Sequence, residues 1–273
     1  MSSALKPIPL FFWSSVRYEN KARENYGDLL SVFIVEKVSG RKVRFYDAPA
    51  RRRSFFKKKH LMAIGSIMKM ATHKSVVWGS GIISRDDSFG EASFKAVRGP
   101  KTRERVLELG YSCPEIYGDP GILLPLYMDP EVKKTHAIGI IPHYVDYNAV
   151  VEMYKDDPQI KVIDLITDDL EKTTTEILSC ERTISSSLHG LIISHAYGIP
   201  SVWVKYSDKL SGDDVKFEDY FLSVGIEPYT AKVCNGRISQ DELLKIIENN
   251  RNLPQQHRIT KMQDELIKAF PQL

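Results

Sequence analysis

Arg182-Thr183-Ile184 leads into Ser185-Ser186-Ser187-Leu188-His189-Gly190, and Ser201-Val202-Trp203-Val204 follows beyond Pro200. The first three residues read as the end of a β-strand. Leu188, Leu191, Ile192, Ala196 and Ile199 recur at spacings of three and four, which predicts a helix with one buried face. Pro200 closes that helix, and Ser201 to Val204 reads as the next strand. The unit is therefore strand, hydroxyl-rich turn, helix, strand. A helix start presents unpaired N–H groups and the positive end of the helix dipole, which suit a phosphate or carboxylate. Ser186, Ser187 and Gly190 are on that ground candidate anion-binding residues. His189, in the first turn, can hold or donate a proton near neutral pH. The same residues also fit a serine cap beside a packed histidine.

Outward from this unit the pattern repeats. Ile8 to Trp13 reads as a strand, followed by a polar loop to Asn25. Tyr26 to Val38 reads as a helix that Gly40 stops, and Lys42 to Tyr46 as a strand. Phe55 to Met70 carries a helix pattern. Ser75 to Trp78 is a strand breaking into Gly79-Ser80-Gly81, and Phe94 to Arg98 is another. Pro100 suits the first position of a helix over Thr102 to Leu109. After the turn Gly118-Asp119-Pro120-Gly121 the alternation restarts, with strands at Ala137 to Pro142 and Ile160 to Ile166. Helices are expected at Asn148 to Tyr154 and Asp168 to Leu178. Ser239-Gln240-Asp241-Glu242 is a capping box opening a helix to Asn249, and a last helix runs from beyond Pro254 to about Phe270. Alternation throughout predicts an α/β fold of parallel sheets flanked by helices. The restart predicts two Rossmann-like domains, 1–130 and 131–273, facing a cleft lined by the carboxyl ends of their strands. Neither half carries GxGxxG or GxxxxGK[ST], so a dinucleotide or Walker-type site is not expected.

Composition narrows the class. The chain has 273 residues, 42% of them hydrophobic and 27% charged, as in an ordinary globular protein. A formal net charge of +3 gives no argument for nucleic-acid binding. Arg51-Arg52-Arg53-Ser54-Phe55-Phe56-Lys57-Lys58-Lys59-His60 gathers positive charge around two phenylalanines. It is either a peripheral contact with anionic lipid or a polyanion, or a solvated loop and helix start. No signal-peptide pattern is seen, and no run approaches the ~20 apolar residues that span a bilayer. Cys113, Cys180 and Cys234 are far apart and resemble reduced cytosolic thiols. No HxH, HExxH or CxxC occurs, so no metal is expected and a cytoplasmic location is.

Five short motifs, taken in order, resemble the polysaccharide pyruvyl transferase family. They are Asn25-Tyr26-Gly27-Asp28, Trp78-Gly79-Ser80-Gly81, Val97-Arg98-Gly99-Pro100, Tyr117-Gly118-Asp119-Pro120 and Ser187-Leu188-His189-Gly190. The resemblance implies a two-domain, glycosyltransferase-B-like fold. It also implies transfer of pyruvate from phosphoenolpyruvate to a sugar as a ketal, in surface or exopolysaccharide biosynthesis, with no cofactor. The partners implied are phosphoenolpyruvate and a sugar or lipid-linked oligosaccharide acceptor. The family's functional arginine falls on Arg98, its histidine on His189 and its lysine on Lys209. Many members carry Arg where this chain has Ser187, so Lys205, Lys209 or the Arg51 to Lys59 segment would have to supply that charge.

In this reading Arg98 and Lys209 hold the two anionic groups of the donor, and His189 is the general acid. Asp28 accepts a proton from the attacking hydroxyl or simply caps its helix, and Asn25 lies beside it. His143, after the Ala137 to Pro142 strand, points at the cleft, as an acceptor or interdomain contact or as a satisfied structural histidine. Arg98 also fits a structural ion pair, and Lys209 plain surface. His195, Tyr197 and Trp203 read as packing residues. Two rival functions remain: a nucleotide-sugar glycosyltransferase using Glu218 or Asp219, and a non-enzymatic anion- or membrane-surface binder using Arg51 to Lys59.

Overall fold

The computed structural model describes residues 6–51, 58–250 and 253–273. In chain order the strands are β1 (Ile8–Phe11), β2 (Glu24–Asn25), β3 (Val43–Phe45), β4 (His60–Met62), β5 (Ser75–Trp78) and β6 (Ser93–Ala96). They continue with β7 (His136–Ile141), β8 (Ile160–Val162), β9 (Ile166–Thr167), β10 (Cys180–Ser185), β11 (Ser201–Lys205) and β12 (Lys232–Val233). Two five-stranded parallel sheets result, ordered β3-β1-β4-β5-β6 and β12-β11-β10-β7-β8. The fold is thus α/β with parallel sheets flanked by helices. The central strands are apolar on both faces, with Ile8, Leu10, Leu61, Met62, Val77, Trp78, Ile140 and Ile184 all buried, as a sheet covered on both sides requires.

The helices follow local signals. They are α1 (Ser15–Glu19), α2 (Tyr26–Ser39), α3 (Ala48–Arg51), α4 (Pro100–Glu108), α5 (Tyr147–Tyr154), α6 (Leu170–Leu178), α7 (Leu188–Ala196), α8 (Val215–Val224), α9 (Gln240–Asn249) and α10 (Gln256–Lys268). Asn25 caps α2, its Oδ1 accepting from Gly27 N at 2.9 Å, and Gly40 ends that helix at φ +64°. Pro100 occupies the start of α4, and Ser239 and Glu242 form the expected capping box of α9.

One expected helix is absent. Within Phe55 to Met70 the chain forms strand β4 and a short 3-10 turn at Met68–Met70. His60-Leu61-Met62-Ala63-Ile64 is buried throughout, and a run that short, buried on both faces, has no period that separates strand from helix. His60 leaves the basic segment entirely. Its Nδ1 lies 2.9 Å from Lys58 O, its Nε2 2.9 Å from Ser75 Oγ, and its ring stacks on Tyr46. Residues 52–57 of that segment lie outside the described residues. Helix α8 and strand β12 have no counterpart in the sequence reading.

Three features tie the two sheets together. Strand β2 pairs antiparallel with β9. Helix α4 of the first half packs on α8 of the second. Helix α10 returns to the first sheet, where Trp78 Nε1 donates to Leu266 O at 2.8 Å and their apolar neighbours form one continuous core. Among the described residues, no helix is long and apolar enough to cross a membrane.

Candidate functional site

The site begins with two glycine turns that lock together. Gly79 follows β5 at φ +97°, and a Cβ there would overlap Pro120 Cδ and come within 2.8 Å of Gly118 O. Gly118 itself sits at φ +140° against Met262 and Leu266. Only glycine meets both demands, the left-handed backbone and the missing side chain. The turn Gly118-Asp119-Pro120 is thereby fixed against the end of β5. Asp119 Oδ1 caps the following 3-10 helix, accepting from Gly121 N at 2.9 Å. Asp119 Oδ2 is left buried without a hydrogen bond, 3.7 Å from His189 Nε2, which is itself buried and unbonded.

His189 reaches this place from the first turn of α7. Its ring lies flat against Gly27 in the first turn of α2, where a Cβ would overlap Nδ1 and Cε1 and approach within 2.7 Å of Cγ. The glycine of the Asn25 to Asp28 motif is therefore the floor under the imidazole. We expect Gly27→Ala to push the ring off that floor and cut turnover at least about a hundredfold, since small misplacements of reacting groups carry costs of that order. Kinetics beside a melting curve would check this, with the folded protein retained.

Around His189 opens a cavity of about 680 Å³. Asn25, Asp28, His143 and Lys209 line it, so five of the residues singled out from sequence meet there, drawn from both halves of the chain. Burial, together with the charges of Glu24 and Glu19, holds the Asp28 carboxyl well above the usual carboxylate range. Burial and the neighbouring Lys216 and Lys21 push His143 down to about 3, so it is neutral at physiological pH. Its backbone N–H donates to Ser186 Oγ at 2.8 Å.

Lys216, at the start of α8, also lines the cavity. Burial and the nearby Arg98 bring it down to about 8, and among the described residues it forms no ion pair. Lys69 reaches the same wall but is paired with Asp87 at 3.0 Å. Asp119 and Lys216 are among the residues that sequence reasoning missed, as are Trp13, Glu19 and Tyr144 on the same cavity wall. Asp119 stood in a recognised motif without a role, and Lys216 lies past a polar loop that hides the start of α8.

Other expected residues are not brought to the cavity. Arg98 is fully buried: Nε donates to Asp219 Oδ2 at 3.0 Å, Nη1 to Ser66 Oγ at 2.7 Å and Nη2 to Ile82 O at 2.6 Å. Asp219 also accepts from Thr102 N and Thr102 Oγ1, so one carboxylate on α8 anchors both Arg98 and the start of α4. Arg98 therefore joins the two sheets and stands behind the cavity wall, which Ser66 forms. Ser186 is engaged by the backbone of His143, and Ser185 Oγ by Ile141 O, Ser187 O and Ser187 N. Gly190 packs on Ser185 and Ile141, where any side chain would collide. Ser187 is buried and makes no cap bond. Glu218 pairs with Arg85 and Lys101, and His195 bonds Tyr220 and Ser201 in the core.

A profile of the polysaccharide pyruvyl transferase family matches residues 25–208. "Uncharacterized protein L143" of Acanthamoeba polyphaga mimivirus is 35% identical over 212 residues, covering 74% of this chain and 72% of that protein.

Proposed function

This chain belongs to the polysaccharide pyruvyl transferase family, and on that premise we propose that it transfers pyruvate from phosphoenolpyruvate to a sugar as a ketal. His189 is the general acid of this reading. The observation that carries it is the placement of His189 in a large cavity between a buried, unbonded carboxylate and a glycine floor. Asp119 orients the ring by drawing the Nε2 proton, which leaves Nδ1 as the nitrogen that exchanges a proton with substrate.

The chemistry then proceeds in balanced steps. His189 gives its proton to the methylene carbon of phosphoenolpyruvate, and C2 becomes an oxocarbenium-like centre. A sugar hydroxyl attacks C2 and gives up its proton, for which Asp28 is the candidate acceptor. The C2–O bond to phosphate breaks with its electron pair, a neighbouring hydroxyl closes the ketal ring and returns its proton to His189, and the proton on Asp28 leaves with phosphate. The sum is phosphoenolpyruvate plus a diol giving a pyruvate ketal plus phosphate. Lys216 and Lys209 supply the positive poles for the donor's phosphate and carboxylate, while Arg98 acts through Ser66 as a positioning residue. In this proposal the two sheets are the cores of two glycosyltransferase-B-like domains, 1–130 on the acceptor side and 131–273 on the donor side.

Lys216 gives the reading a pH signature. A lysine lowered to about 8 is cationic below that pH and neutral above it. Donor binding is therefore full below about pH 8 and weakens as pH rises through it. His143, neutral down to about 3, adds no limb of its own in that range. Thermal stabilisation by phosphoenolpyruvate, measured from pH 6.5 to 9.5, should fall along this curve. Lys216→Gln should flatten it at a low value. Stabilisation that is independent of pH in the unaltered protein would remove Lys216 from the donor site.

A further inference from the structure

One end of the cavity differs in chemistry from the rest. Trp13, after β1, and Tyr144, after β7, both line it, with Glu19 of α1 between them. Glu19 Oε1 accepts from Trp13 Nε1 at 2.7 Å, and its other oxygen lies 3.9 Å from Lys21 Nζ. Lys21 Nζ in turn sits 3.7 Å above the Tyr144 ring, and His143 packs 4.2 Å from that ring. Burial and the carboxylates of Glu19 and Asp28 raise the Tyr144 hydroxyl to about 12. This end is aromatic, with Glu19 as its carboxylate and Lys21 beside it, whereas Lys216 and Lys209 are left for the donor's anions. Asn25 also lines the cavity: its Oδ1 accepts from Gly27 N, and among the described residues its Nδ2 makes no hydrogen bond. The cavity is also far larger than the ten heavy atoms of phosphoenolpyruvate require, and falls in the range of sites that enclose a much larger ligand.

We propose that the Trp13–Glu19–Tyr144 end is the acceptor subsite, and that it takes an uncharged pyranose ring in preference to a uronic acid. The inference rests on reading the same cavity as a pyruvyl-transfer site. The apolar C–H face of a sugar ring packs on aromatic side chains that combine an apolar body with a polar tip. Its hydroxyls can donate to the Glu19 carboxylate and accept from Asn25 Nδ2. A uronate would set a further carboxylate beside Glu19, whose neighbouring cation Lys21 already lies 3.9 Å from it, and like charges at close range are the means by which such sites reject the wrong partner.

Three tryptophans make this measurable. Trp78 and Trp203 are 0% and 4% exposed, which leaves Trp13 as the tryptophan that lines the cavity. The experiment titrates tryptophan emission with the methyl glycosides of glucose, galactose and mannose, and with methyl glucuronide. Stabilisation by phosphoenolpyruvate is measured in parallel. We expect at least one neutral glycoside to change the emission saturably, with the glucuronide about tenfold weaker or more. Trp13→Phe should abolish the signal. Trp13→Ala, followed by titration calorimetry because its reporter is gone, should weaken the glycoside by about tenfold while leaving stabilisation by phosphoenolpyruvate intact. Glu19→Gln keeps the acceptor for Trp13 Nε1 and removes the charge, so it should close most of the gap to the glucuronide.

A glucuronide that binds as tightly as the neutral glycosides would overturn the proposal. So would emission unmoved by every neutral glycoside, or a Trp13→Ala protein that loses the donor as much as the sugar. Glycoside binding without any response to phosphoenolpyruvate would sustain the saccharide subsite and remove the donor reading alone.

Discussion

His189→Ala is expected to lower phosphate release from phosphoenolpyruvate by about 10²–10⁴-fold, the range that a positioned acid contributes. The fold should survive. His189 Nε2 makes no hydrogen bond, and its partner Asp119 Oδ2 is already unbonded, so truncation leaves no newly orphaned polar group. The melting temperature and circular dichroism of the variant should therefore stay close to those of the parent. Asp119→Asn separates orientation from proton transfer. The amide still caps Gly121 through its oxygen but no longer offers a charged acceptor to the ring, so we expect a smaller loss, about ten- to a hundredfold. An Asp119→Asn protein with full activity would confine that carboxylate to its capping role.

Arg98→Ala is expected to act on stability first. Arg98 and Asp219 are both 0% exposed, and removing one member of a buried, hydrogen-bonded pair typically costs about 3–5 kcal/mol. At roughly 2–4 °C per kcal/mol for a chain of this size, the melting temperature should drop by roughly 6–20 °C. The loss falls on the α4–α8 contact between the two halves, because Asp219 also holds Thr102 at the start of α4. Replacing both partners, as Arg98→Met with Asp219→Asn, should recover part of it, since no uncompensated charge is then left buried. If Arg98 instead gripped the donor directly, its removal would abolish stabilisation by phosphoenolpyruvate and leave the melting temperature of the free protein nearly unchanged. The two outcomes differ in calorimetry of the unliganded protein alone.

These expectations show which parts of the molecule are legible in the chain. The alternation of strands and helices is carried by local signals, as at Asn25 and Gly40 around α2 or Ser239 and Glu242 at α9, and such signals survive folding unchanged. Strand β4 is not legible because a segment buried on both faces loses the periodicity that would identify it. Helix α8 follows Asp214 at φ +67°, with no side-chain cap to announce it.

At the site, His189, Asp28, Asn25 and His143 lie at strand ends and helix starts, where an α/β fold concentrates its clefts, and they converge as the alternation implies. Arg98 reads equally as a donor-binding cation or a structural ion pair, because its partner lies 121 residues later in a helix that the sequence pattern does not reveal. Lys216 is hidden for the same reason. The approach of Asp119 to His189 depends on Gly79 meeting Pro120, a tertiary contact that gives no trace in either motif taken alone.

The central claim is that His189 protonates the methylene carbon of phosphoenolpyruvate while a sugar hydroxyl attacks C2. The measurement that tests it most directly is the reaction run in D2O, with phosphoenolpyruvate and the neutral glycoside that best shifts Trp13 emission. The product is read by NMR and mass spectrometry. The account predicts a pyruvate ketal whose methyl group carries one solvent deuterium, one phosphate released per ketal, and loss of both signals in His189→Ala. A ketal methyl free of solvent deuterium, or undiminished product from His189→Ala, would contradict it.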